Sequence, residues 1–501
     1  MSAKMLILSS AILALSGTAH AQYNPAASCS IGPAEFQGWF ANNKISKDGP
    51  IVFANSLAFP QNNTKCDFYK WGQQMFLWLT SPSGSGITIT SPQIYNVNFN
   101  TQGQGIYIQG DDTGFLRSDK SGEMTAFRST VNNMVVKGLV AENIQPGGQA
   151  GGNDALMSLN GSLVYYAVHA NDVYAWFNTA VINGALPETS EFPNSAADLN
   201  ALLTYVASKG ASLKDADALT MEIKTSWIDA AKVNGSVTDY VTITADVPNY
   251  QGDVGAAKWT IGTPATVTKQ LALVGMHVVG TVQGHPEMVW ATFEHKSNAP
   301  NNTYYLSFMP PLNQPIEPPA IPFPYNSAGQ WNFMQPNGSQ DGALVPQMTV
   351  DGDGNVVATA GNVVGPNNSY RVNPWGSLPE PASANNNTQI FTLNANIDYM
   401  LANTPTGKDV RSNYIQIGSV WTRNGSIPAE PTDKSQQVGS LFLANTTMET
   451  YHQKLGPDIK PAHQNGCFGC HNLAPTQGSP TPPPTSTSHL FSTDNVPLVG
   501  K

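Results

Sequence analysis

Near the end of the chain stands Cys467-Phe468-Gly469-Cys470-His471, two cysteines two residues apart with a histidine directly following. At this spacing two thiols add across the vinyl groups of one haem while the next imidazole turns back to the iron. The stretch therefore reads as the covalent attachment site of a single haem c, with His471 as the proximal iron ligand. Half of a zinc site, or a redox-active Cys-x-x-Cys, is the competing reading. Zinc would need two further soft ligands, and the remaining cysteines, Cys29 and Cys66, lie about 400 residues upstream.

An iron held by His471 has a second axial position. His489 is the first candidate, because a connection of 18 residues at up to ~3.3 Å each reaches round a haem edge. The Pro-rich tail Pro475 to Ser488 would then be a tether, with Leu490-Phe491 covering the haem edge. Met448, on a helix expected to start near Asn445, is the second candidate, and no protein ligand is the third. His463, four residues before the first thioether, is better placed near a propionate. Asp351-Gly352-Asp353-Gly354-Asn355 is a weak Ca2+ candidate, and a plain hairpin turn competes with it.

These groups need a scaffold, and the start of the chain says where it is used. Lys4, the apolar run Met5 to Leu15 and the small-x-small Ala19-His20-Ala21 read as a signal peptide over 1–21, with the mature chain beginning at Gln22. A membrane anchor competes, but the apolar run is about half of the roughly 20 residues a span needs. Haem c is attached outside the cytoplasm, so a periplasmic or secreted setting agrees with the motif. In that oxidising compartment Cys29 and Cys66 are the pair left for a structural disulfide, against two unrelated thiols. With charged residues at 12% and a formal charge of -10, nucleic acid and anionic membrane surfaces are poor partners.

The scaffold reads as α+β and mainly β. The expected organisation is an N-terminal helical and strand region over 22–130, a β-rich body over 131–440 and a haem c segment over 441–501. Helices are expected at Pro33 to Asn43, at Cys66 to Leu79 with Phe68, Trp71, Met75 and Trp78 on one face, and at Ser195 to Lys209 behind a Ser195 cap. Short alternating runs from Ile87 to Phe177 read as strands and turns, with Gln145 to Asn153 as a Gly-rich connection. Strands are expected at Met221 to Asp229, Tyr240 to Val247, Gln270 to Glu294 broken at Gly284-His285-Pro286, Gln389 to Thr392, Tyr414 to Thr422 and Leu441 to Leu443. Pro310 to Pro324 reads as a covering loop. His277, His285, Glu287, Glu294 and His295 crowd one hairpin. They are read either as a polar pocket or haem-side cluster, or as strand and turn residues satisfied locally; alternation puts Glu294 and His295 on opposite faces.

The leader, the body containing His285-Pro286-Glu287-Met288-Val289-Trp290-Ala291-Thr292-Phe293-Glu294-His295, and the terminal Cys467 to His471 with Ser488-His489-Leu490-Phe491 resemble large single-haem proteins of the "cytochrome c family" of Gram-negative bacteria. The resemblance spans most of the mature chain and implies haem c and a periplasmic setting, without a substrate. It departs from small class I cytochromes, whose motif opens a helical domain carrying a distal Met, since no Met follows His471 here. The expected function is periplasmic electron transfer with a redox partner protein, no membrane span remaining in the mature chain. A haem c-dependent oxidoreductase, a peroxidase or oxygenase with its pocket in the β-rich body, is the alternative. A carbohydrate- or ligand-binding body is a third.

Overall fold

The computed structural model describes 29–99, 105–111, 152–300, 331–334, 345–373, 375–376, 384–428, 435–453, 466–471, 484–492, 495 and 498, together with several strands between 115 and 140 and between 304 and 323. The expected signal peptide, most of the Gly-rich connection, most of the proline-dense loop and His463 lie outside the described residues.

A chain with this much alternation makes sheet, and the fold is β-rich. Its first strands in chain order are β1 (Ile94–Phe99), β2 (Gly105–Gln109), β3 (Tyr165–Asn171), β4 (Met221–Asp229), β5 (Thr242–Gln251), β6 (Lys258–Val282) and β7 (His285–His295), and its central path is antiparallel throughout. A side hairpin, β8 (Met348–Val350) and β9 (Val356–Ala358), precedes β10 (Tyr414–Thr422) and β11 (Gln437–Gly439). Across the sheet the order is β11-β10-β7-β6-β4-β3-β1-β2, while β5 and β9 pair with the outer length of β6. The sheet therefore takes strands from both sides of residue 130, and the N-terminal region and the body share one core. Every residue of β7 and of β10 is buried, as expected of central strands covered on both sides.

One face is covered by helices. After the short α1 (Pro33–Gly38), α2 (Lys65–Leu79) starts in a capping box, Thr64 accepting from the Asp67 N–H while Asp67 accepts from Thr64. Phe76 stacks on Phe293 at 4.4 Å, and a Cβ on Gly72 would meet Ala291 Cβ at 2.9 Å, so glycine allows helix and sheet to touch. At the far end Arg411 donates to the Leu77 carbonyl and to Ser81 while paired with Asp409, which satisfies helix-end acceptors. Cys29 and Cys66 form a disulfide closing a 37-residue separation and tie the first described residue to this helix.

Elsewhere α3 (Asp172–Ile182) follows β3 directly, capped by Asn171, and α4 (Ala196–Ser208) is capped by Ser195 as expected. Three local expectations are corrected. Gln389 to Thr392 is not a strand but part of α5 (Ala384–Ala402): buried Ile390, Phe391, Leu393, Ile397 and Leu401 repeat at helical spacing, which a four-residue window hides. Leu441 to Leu443 is turn, the last strand ending at Gly439. The segment after Asn445 is also turn, with a 3-10 stretch at Thr450–His452 in place of a helix. Among the described residues no helix is long and apolar enough to cross a membrane.

Candidate haem-attachment site

The other face of the sheet is polar, and its register builds the site. Cross-strand partners share a face. Across β4, β6 and β7 they fall into rows: Glu222, Val279 and Trp290; then Lys224, His277 and Thr292; then Ser226, Gly275 and Glu294. The C-terminal segments lie over these rows. Glu449 accepts from His277 Nε2–H at 2.7 Å, Asn445 Nδ2 donates to Thr292 at 2.9 Å, and the Thr446 N–H donates to Glu294 at 2.8 Å. Ser488 donates to Glu222 and exchanges a 2.8 Å hydrogen bond with Tyr174.

The motif sits over the first row. Cys467 and Cys470 are the ends of α6 (Cys467–Cys470), one helical turn apart, and His471 caps it. Neither cysteine is in a disulfide. The His471 ring lies 4.3 Å from that of Trp290, and Phe468 is buried with its ring 6.1 Å from the same indole. His471 Nδ1–H donates to the Thr487 carbonyl at 2.7 Å. A carbonyl only accepts, so this bond sets the tautomer and leaves Nε2 with its lone pair, the form in which imidazole ligates a metal. Burial, with His489 beside it, holds the His471 imidazole neutral, its pKa well below the ordinary value although the Thr487 carbonyl opposes the shift. Two thiols one turn apart and an oriented neutral imidazole next to them fit a covalently attached haem.

The two proposed distal ligands stand in different surroundings. The His489 ring is stacked on His471 at 4.0 Å with the planes 15° apart, and burial lowers its pKa too, the Cys470 backbone opposing. The tail thus returns to the His471 side, supplying the Thr487 carbonyl. Met448 is fully buried in a separate apolar cluster with Tyr166, Ile228, Val274 and Tyr451. That cluster reaches the polar face, since Lys224 Nζ lies 5.4 Å from the centre of the Tyr166 ring.

The ionisable hairpin cluster divides. His285 Nδ1–H donates to Glu287 at 2.9 Å against Phe68. His295 stacks on Tyr240 and donates to the Asp239 carbonyl on the helical face. His277 and Glu294 belong to the polar face, Glu294 being paired with buried Arg371 at 2.6 Å. Asp351 uses its carboxylate on Lys258 and on the Asp353 and Asn355 N–H groups of its own turn, the geometry of the β8–β9 hairpin.

Sequence reasoning missed Glu222, Lys224 and Glu449. Burial pushes the Glu222 carboxyl up to about 7, with the Ser488 hydroxyl and Lys224 opposing. Lys224 is pulled below its ordinary value by burial, against Glu449 and Glu222. Burial also pushes Glu449 up, but His277, Lys224 and the Asn445 N–H outweigh it and hold it low. The available signal was opposite charge at alternate positions of one strand, Glu222 and Lys224. No family model, curated protein or solved structure matches the chain.

Proposed function

We propose that the chain is an exported c-type cytochrome that carries one haem through Cys467 and Cys470, uses His471 as axial ligand, and passes single electrons to a periplasmic redox partner protein. The observation that carries this reading is the His471 Nδ1–H bond to the Thr487 carbonyl, directly after two cysteines one helical turn apart. When bound, the haem supplies a reversible one-electron change at iron. The chain's own residues orient the ligand through Thr487, pack it against Trp290, and shield it with buried Phe468 and Leu490. The Cys29–Cys66 disulfide accords with an oxidising compartment, and the resemblance to large single-haem cytochrome c family proteins of Gram-negative bacteria points the same way.

A second reading is a haem c-dependent oxidoreductase. Its support is the ionisable set Lys224, His277 and Glu449 beside His471. The pyridine haemochrome spectrum of the purified protein tests the attachment: two thioethers are expected, and Cys467→Ala and Cys470→Ala each lose that signature. EPR of the ferric protein separates the two readings, a low-spin signal favouring electron transfer and a high-spin signal the oxidoreductase.

A further inference from the structure

We propose that Glu222 is the proton acceptor coupled to electron uptake at the Cys467 to His471 site, so that up to one proton enters the protein with each electron. The inference rests on the haem reading above and deepens it. Glu222 shares its row with Trp290, whose ring packs on His471 at 4.3 Å. Its carboxylate accepts from Ser488, the residue before His489. A line of polar groups runs on from it beneath the segment, through Lys224 and then His277, which joins Glu449 at 2.7 Å and Thr292 at 2.8 Å.

The groups facing Glu222 come from several elements. Lys224 lies on its own strand, Tyr107 on β2, Tyr174 on α3, and Ser488 in the tail. Lys224 in turn faces Glu449, His471 and His489, and His277 faces both Glu449 and His471. Lys224 and Glu449 offset one another in charge, so the ionisation of Glu222 sets the local balance. A half-buried carboxyl pushed up to about 7 by its surroundings is half-ionised near neutrality. Glu222 is also only partly buried by its neighbours, which leaves it able to exchange protons with water.

The coupling follows from charge in a medium less polar than water. An added electron raises the proton affinity of a nearby carboxylate, and by reciprocity the bound proton raises the electron affinity. In the reductive step a one-electron donor gives up one electron, and water gives one proton to a Glu222 oxygen. Both leave on reoxidation, so charge and atoms balance.

The test is potentiometric titration of the haem-bearing protein between pH 5 and 9. The midpoint should fall as pH rises through neutrality, with a limiting slope of about 59 mV for each tenfold change in proton concentration in a one-electron couple. Glu222→Gln should flatten that slope, and Glu222→Asp should retain it with a displaced midpoint. In the unmodified protein, reduction by a hexaammineruthenium(II) salt near pH 7 should withdraw protons from a dye-buffered solution, which keeps the test independent of how the variants fold. A pH-independent midpoint, an unchanged slope in Glu222→Gln, or no proton uptake would overturn the proposal. Protein without a visible haem band would overturn the cytochrome reading as well, whereas a haem-bearing protein with a flat potential would overturn this inference alone.

Discussion

The Nδ1–H of His471 is held by the backbone carbonyl of Thr487 at 2.7 Å, so the tail that follows the motif supplies the group that orients the imidazole. Replacing His489, which stacks on the same ring, should therefore leave haem attachment and the ferric spin state as they are. His471→Ala should alter the spectrum while the thioethers persist. A low- to high-spin conversion in His489→Ala would instead put that ring on the iron.

Trp290 is the floor of the site. Its indole carries the contacts of His471 and Phe468 and is 5% exposed, so Trp290→Ala should cost about 3–5 kcal/mol. Urea unfolding would register this as a lowered midpoint at unchanged m. An unchanged midpoint would mean that the segment does not pack on β7.

The disulfide should matter for stability and not for the haem. A loop closed across 37 residues is worth about 3–4 kcal/mol in the chain-entropy account. Cys29→Ser with Cys66→Ser should lower the denaturation midpoint accordingly and leave the visible spectrum intact. Loss of haem in that variant would tie α2 to the site more closely than the packing implies.

Much of this architecture was legible. Met221 to Asp229 and Tyr414 to Thr422 appear as strands with the expected bounds, and Ser195 caps its helix, because alternation and capping act within a few residues. The register that sets Glu222 and Trp290 in one row was not legible, since it is fixed between strands about 70 residues apart. Likewise the five ionisable side chains of one hairpin look like a cluster in sequence, yet the pleat and the β6–β7 turn send His285 and His295 away from His277 and Glu294. Gln389 to Thr392 was misread for a local reason: four residues carry too little periodicity to tell strand from helix.

Acid should destabilise the fold through buried histidines. Burial depresses His169 and His295 to about 3 each, so below about 6.5 the unfolded chain binds protons that the folded chain refuses. Their contribution is fully present above about 6.5 and is lost as pH falls from there toward 3, at up to about 1.4 kcal/mol per pH unit for each histidine. Melting temperature against pH should show this decline, and His169→Gln should make it shallower. An identical profile in His169→Gln would contradict the neutral, buried state of that ring.

The covalent haem is the central claim, and intact mass tests it most directly. Protein made in cells competent for cytochrome c maturation should exceed the mass of the processed polypeptide by one haem, and Cys467→Ala with Cys470→Ala should return it to the polypeptide mass. A mature chain whose mass equals the bare polypeptide from Gln22 in such cells would contradict the account.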